Sequence, residues 1–207
     1  MADRIEILSV RAADGGARLI LQLESDLGGE MCRESLTVLT SRMKSLPQKG
    51  IVDEETSALL HREHALCAAL SIALHSLAAG GCSCLQLRRK LCAKGVARDV
   101  AEDAVRSLCD TGYIRERESA LAAAESDLRK LWGDRRILAD LRAKGYDGEA
   151  LLAVRELLAS KDGAARCARL LEKRRFDTSD ADKLIAALMR YGYARSEIRA
   201  ALRMAME

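Results

Sequence analysis

His61 and His64 stand one helical turn apart, Cys67 lies a turn further along, and Cys82 and Cys84 flank Ser83. Imidazole and thiolate side chains at such intervals raise the question of zinc, but structural zinc takes cysteine pairs two to four residues apart and this pair is separated by one. The spacing predicts no metal, and the helical cysteines read as small buried hydrophobes. Nucleophilic and phosphoryl chemistry find no foothold either. The chain carries no GxxxxGK[ST] loop, no GxSxG, no HExxH and no GxGxxG following a strand. We therefore expect no catalytic residue, no cofactor and no enzyme.

Positive charge is what the sequence does concentrate. Arg88, Arg89 and Lys90 precede Lys94; Arg129 and Lys130 are followed by Arg135 and Arg136; Arg142 and Lys144 come next, then Lys173, Arg174 and Arg175. Up to Leu66 the chain has 8 Lys+Arg against 11 Asp+Glu, and beyond it 26 against 20, so a net −3 is followed by a net +6. A basic region of this kind suits an anionic partner, a nucleic acid or an acidic protein surface, although scattered charge also serves solubility. Lys94 and Lys144 fall where last-turn cations complement a helix dipole. Lys130, Arg135, Arg136 and the Lys173 group have fewer acids nearby and are the stronger candidates for contact. Trp132, beside Gly133, reads as inter-helix packing ahead of an interface anchor.

The elements that would carry these residues are mostly helical. The 207 residues can bury the core of one or two domains, and the apolar share is Leu and Ala with 3% aromatics and a single proline, a helix former's composition. Seven cysteines at irregular spacings predict reduced thiols in the cytoplasm. Ala65 to Leu74 is too short an apolar run for a membrane span, and the opening residues lack the pattern of a secretory signal. Near the start, RIEILSV and RLILQLES alternate with period two around Asp14-Gly15-Gly16, which predicts a β-hairpin. Gly28-Gly29 allows a third short strand over 30–33, and Glu34 to Lys44 reads as a helix ended before Pro47.

From Ile51 the period changes to 3.6. Asp53, Glu54 and Glu55 open a helix running to about Ala79, and eight more follow, ending at about Gly95, Gly112, Leu131, Gly145, Ala159, Arg175, Tyr191 and Met206. Three of these ends repeat: LCAKGV at Leu91 to Val96, LRAKGY at Leu141 to Tyr146 and LMRYGY at Leu188 to Tyr193. Each reads as the last turn of the middle helix in a three-helix unit, with an inward leucine, basic residues at the dipole's negative end, a glycine cap and an apolar residue docked onto the next helix. Tyr113, after Gly112, is expected to dock in the same way. The expected organisation is a small β-containing module at 1–50 and three tandem three-helix repeats at 51–113, 114–160 and 161–207, stacked into an elongated array.

These repeats carry a family resemblance. GYIRERESALAAAESDLRKLWGDRRILADLRAKGY (Gly112 to Tyr146) resembles the middle of RecX, the regulator of the RecA recombinase. So do LRRKLCAKGV, LMRYGYARSEIRAAL and the lead-in KGIVDEETSALLHREHALCAALSIAL, with the hairpin start similar to an N-terminal extension of longer members. Asp127 stands where the family commonly has arginine. The resemblance implies a monomeric, non-enzymatic accessory protein of DNA repair, homologous recombination and the SOS response. Such a protein lodges in the groove of the RecA filament on single-stranded DNA and restrains ATPase, strand exchange and co-protease activity. Direct DNA contact through the basic clusters is a further expectation, and the alternative is a helical-repeat nucleic-acid-binding protein that acts without RecA.

Overall fold

A computed structural model describes residues 4–27, 30–174, 176 and 180–205. The chain is mainly helical with a small antiparallel sheet at its start, and it divides into two compact units. Unit 1 comprises residues 1–78 and 88–110, and unit 2 comprises 79–87 and 111–207.

In unit 1, strands β1 (Arg4–Ala13), β2 (Arg18–Leu27), β3 (Glu30–Leu39) and β4 (Gly50–Val52) form one sheet in the order β3-β2-β1-β4. The hairpin between β1 and β2 turns at Asp14–Gly16, where Asp14, Gly15 and Gly16 all take positive φ. Alternation places Leu19, Leu21 and Leu23 of β2 on the same buried face as Leu36 and Val38 of β3. A register shift between Ile7 and Ser9 lets β1 send Ile7 and then Val10 to that face. Helix α1 (Glu54–Ala78) closes the core with Leu60.

The segment 30–44 departs from expectation. The short strand at 30–33 and the helix from Glu34 to Lys44 are instead one ten-residue strand, β3, and a single 3-10 turn at Thr40–Arg42. Leu36, Leu39 and Met43 do fit a helical stripe, but Leu36 and Val38 fit a strand equally well, and β2 offers partners along its whole length from Arg18↔Leu39 to Leu27↔Glu30. The glycine pair 28–29 lies outside the described residues. Strand β4 had no legible pattern of its own, since three residues carry no period. Helix α1 secures the turn and the outer edge: Arg42 makes two hydrogen bonds to the buried Glu63, and His64 Nδ1 accepts from the Thr37 amide at 2.9 Å.

Helix α3 (Arg98–Asp110) packs on α1 within unit 1. Helix α2 (Cys84–Ala93) contributes its first residues to unit 2 and its remainder to unit 1. Unit 2 then holds α4 (Glu116–Arg129), α5 (Asp134–Ala143), α6 (Gly148–Ala159), α7 (Gly163–Lys173), α8 (Ala181–Arg190) and α9 (Arg195–Met204). Helices α4, α5 and α6 enclose one core, with Ile137, Leu141 and Val154 fully buried, and α7, α8 and α9 enclose another around Leu170, Leu188 and Tyr193.

The three repeated endings share one geometry. Val96, Tyr146 and Tyr193 each donate a backbone N–H to the carbonyl of Leu91, Leu141 and Leu188 respectively, across glycines with φ of +86°, +86° and +98°. This is the Schellman arrangement, and the left-handed glycine is what permits it. Helix α4 ends in the same way without glycine: Trp132 N–H reaches the Asp127 carbonyl, and Leu131 takes φ +58°. An L-residue in that region costs on the order of 1–2 kcal/mol. Leu131 meets that cost by burying its side chain in the α7–α9 core, where its carbonyl accepts from Tyr193 Oη at 2.8 Å. Tyr146 and Tyr193 are buried as expected, but Tyr113 is 64% exposed, because Ile114 takes the inward place beside it.

Glycine is demanded most strictly where α5 begins against the end of α8. Gly133 N–H donates to the Tyr191 carbonyl at 2.8 Å and Arg135 N–H to the Gly192 carbonyl at 3.1 Å, and a Cβ on Gly133 would lie 2.3 Å from the Gly192 carbonyl carbon. We predict that Gly133→Ala lowers the stability of unit 2 by on the order of 3 kcal/mol, since backbone cannot yield as a side chain can. Gly112→Ala, at φ +72° but with open space around it, should cost about 1 kcal/mol. Urea titrations giving equal losses for the two variants would contradict this account.

Candidate interaction surface

The crossing at Gly133 and Gly192 positions a cluster of cations and rings in unit 2. Trp132 follows the left-handed Leu131, packs half-buried against the α4–α6 core, and receives the Arg136 guanidinium 3.9 Å from its ring centre, with Lys130 Nζ at 4.9 Å. The Arg136 guanidinium also lies 5.6 Å from the ring of Tyr191, which closes α8. Arg174, after α7, comes within 5.4 Å of the same ring and donates to its hydroxyl at 2.6 Å, and Phe176 meets Tyr191 edge-on at 6.0 Å. Lys130, Arg136 and Arg174, 44 residues apart at the extremes, are thus gathered around two partly exposed rings. Cations over aromatic faces are held by the ring quadrupole and remain available to an anion on their other side.

The remaining candidates separate by partner. Arg88 pairs with Glu102 at 3.0 Å, Lys144 with Asp140 at 2.5 Å and Lys130 with the buried Asp127 at 2.7 Å. Burial pulls the Lys144 ammonium down, but its hydrogen bond to Asp140 together with the charges of Asp140 and Asp127 outweighs this and raises it above its ordinary value. Lys144 is therefore accounted for by local pairing and helix capping. Arg89, Lys94, Arg129, Arg135, Arg142 and Lys173 are exposed and, among the described residues, have no carboxylate within ion-pair distance. Arg88, Arg89 and Lys94 belong to unit 1 and the others to unit 2. Arg175 lies outside the described residues. Arg129 and Lys173 line one groove with Arg169, a residue sequence reasoning passed over although Arg166, Arg169 and Lys173 recur at helical intervals along α7.

The histidines and cysteines that raised the question of zinc serve other ends. His61 Nε2 lies 2.8 Å from Glu34 and its Nδ1 2.8 Å from the Ser57 carbonyl, His64 serves the β3 edge, and Cys67 and Cys82 are buried. Among the described residues no three His, Cys, Asp or Glu side chains converge as a metal site. Ser83 caps α2 in a reciprocal pair with Gln86, and its hydroxyl donates at 2.5 Å to the Lys144 carbonyl at the end of α5. Burial pushes the Cys167 thiol up to about 11 and the Tyr193 phenol up to about 12, so both stay protonated at neutral pH. No described helix is long and apolar enough to cross a membrane.

The Regulatory protein RecX of Xanthomonas axonopodis pv. citri (strain 306) is 34% identical over 128 residues, covering 59% of this chain and 78% of that protein. The Regulatory protein RecX of Pelodictyon phaeoclathratiforme (strain DSM 5477 / BU-1) is 32% identical over 143 residues, covering 66% of this chain and 88% of the relative. The chain belongs to the RecX family. A crystal structure of regulatory protein RecX shares the fold with a TM-score of 0.69 at 18% identity, over 94% of this chain and 97% of that one. RecX from Lactobacillus salivarius does so with a TM-score of 0.56 at 17% identity, over 68% and 96%. No family model matches the chain. This member buries Asp127 and pairs it with Lys130, which draws one of the cluster's cations toward the α4 scaffold.

A titration follows from the His61 contacts. Burial pulls this imidazole down, but the Ser57 carbonyl and Glu34 outweigh it and raise it above its ordinary value. Folding therefore favours the protonated form, whose contribution is complete below the unfolded pKa of about 6.5 and fades as pH rises through the folded value. We expect His61 to lend stability at pH 6 that is gone by pH 8, roughly a few tenths of a kcal/mol for so exposed a pair. Denaturation of His61→Gln beside the parent at both pH values checks it, and a parent profile no steeper than the variant's would refute it.

Proposed function

We propose that this chain is a regulator of RecA, acting as an inhibitor without chemistry of its own. It binds in the groove of the RecA filament on single-stranded DNA and restrains ATP hydrolysis, strand exchange and co-protease activity, as a monomer in the cytoplasm. Membership of the RecX family supports this reading, and the single structural observation that carries it is the gathering of Lys130, Arg136 and Arg174 around Trp132 and Tyr191, flanked by the unpaired Arg135 and Lys173. We take 51–113, 114–160 and 161–207 as three repeats, each presenting cations of its own, so that several modest contacts act together and binding falls with salt.

The same rings favour a second reading, direct binding of single-stranded nucleic acid, because bases stack on exposed aromatics and phosphates pair with the interleaved cations. The two differ in whether RecA is required.

The deciding experiment titrates the chain into the single-stranded-DNA-dependent ATPase of RecA. Inhibition well below one molecule per RecA is expected under the first reading. Unchanged turnover, together with salt-steep binding to bare strands, would establish the second. Arg135→Glu combined with Lys173→Glu, both exposed and unpaired, should raise the amount needed for half-inhibition roughly tenfold without altering thermal unfolding. Inhibition as strong as the parent's would remove these residues from the interface.

A further inference from the structure

A second feature of unit 2 differs in kind from the ring cluster. A groove of about 500 Å³ runs between the end of α4 and the first turns of α7, and it continues past Arg129, Leu131 and Arg169 into a further 310 Å³ beside Lys173. Leu128, Leu131 and Ala165 give it an apolar wall. Arg129, Lys161 and Arg169 stand around it, exposed and without a carboxylate partner among the described residues.

The most telling residue is Arg166, which lines the same groove but is only 7% exposed. One nitrogen of its guanidinium pairs with Asp134, and the group lies 5.9 Å from the Tyr193 ring, yet its Nε has no hydrogen-bond partner. Burying a charged donor without an acceptor is costly, and none of the described residues supplies one. The nearest carboxylate of the groove, Asp162, is turned to its own helix, where Oδ1 accepts from the Ala165 amide at 3.0 Å as the N-cap of α7. Glu172 is exposed at the far end beside Lys173.

We propose that this groove is a binding site for a small phosphomonoester of nucleotide size. Its phosphate lies among Arg129, Arg166 and Arg169, and its ring rests on Leu128 and Leu131. Guanidinium groups match the oxygens of phosphate two at a time, and a terminal phosphate carries close to two charges where a bridging diester carries one. The volume falls in the range of small-molecule pockets. No aromatic residue lines the groove, whereas surfaces that follow a single strand present successive rings, as the Trp132 cluster does.

The test uses the whole chain without RecA or DNA, so its outcome is independent of the regulatory reading. Calorimetric titrations would compare thymidine 5′-monophosphate, thymidine, and the dinucleoside monophosphate TpT, which has a bridging phosphate and no terminal one. We expect the monophosphate to bind about tenfold or more tightly than either of the others, and Arg129→Ser combined with Arg169→Ser to abolish that advantage while the thermal unfolding midpoint stays unchanged. Both arginines are exposed and unpaired, so the variant is expected to fold. TpT binding as tightly as the monophosphate would assign the groove to a strand's backbone and overturn the proposal. So would a monophosphate no tighter than thymidine, or binding that survives the double substitution.

Discussion

The constraint on which unit 2 turns is a contact between two backbones, Gly133 at the start of α5 against Gly192 at the end of α8. Two amides donate across it, and neither position has room for a Cβ. Because no side chain separates the segments, their neighbours are brought within reach of one another: Arg136 over Trp132 and Tyr191, Tyr193 onto the Leu131 carbonyl, Arg166 onto Asp134. A similar device operates at the other end of α5, where Ser83 donates to the Lys144 carbonyl and a Cβ on Gly145 would strike Leu85 at 2.5 Å. Glycine-capped helix ends thus do more than terminate helices here. At Gly145 and Gly192 they are the sockets into which the starts of α2 and α5 fit, whereas Gly95, with open space around it, only ends its helix.

Leu131 shows how far tertiary contact can override local preference. A leucine at positive φ is unfavourable by itself, but burial of a side chain of that size contributes about 1.5–3 kcal/mol, enough to exceed the backbone cost. The left-handed turn in exchange points the chain so that Trp132 faces the α4–α6 core while Leu131 enters the α7–α9 core. One strained residue therefore directs two neighbouring side chains into two different cores, and the cation–ring cluster and the arginine groove both border it.

The basic residues fall into two physical kinds. Those paired with carboxylates, such as Arg88, Lys130 and Lys144, have part of their field cancelled locally, and partly exposed pairs such as Arg88–Glu102 add little to stability. Those left unpaired keep their field, which in water matters to an incoming partner more than to the fold. Among the described residues of the basic clusters, Arg89, Lys94, Arg129, Arg135, Arg142 and Lys173 are of this second kind, as are Lys161 and Arg169 beside the groove.

Much of this fold is legible in the sequence because its signals are local. The 3.6-residue spacing of Leu87 and Leu91, or of Leu184 and Leu188, follows from helix geometry alone, and the glycine four residues after Leu91, Leu141 and Leu188 marks the left-handed cap in each repeated phrase. The alternation in RLILQLES is local in the same sense. Where two local patterns were compatible, as between Leu36, Val38 and Met43, the decision came from the preceding strand β2, whose edge captured the segment through pairings such as Leu21↔Leu36 and Leu19↔Val38. The basic clusters could be read from sequence, but which of their cations would be consumed could not, since Asp127 pairs with Lys130 in a buried setting and Tyr191 draws Arg174 from seventeen residues away. Nor could the groove of Arg129, Arg166 and Arg169, which joins two helices about 40 residues apart in the chain. Helix periodicity and end caps are properties of a few consecutive residues and were determined by the sequence itself. The pairing of charges, the stacking on rings and the shape of the groove depend on distances between separate helices, and those were decided only when glycine let two backbones touch.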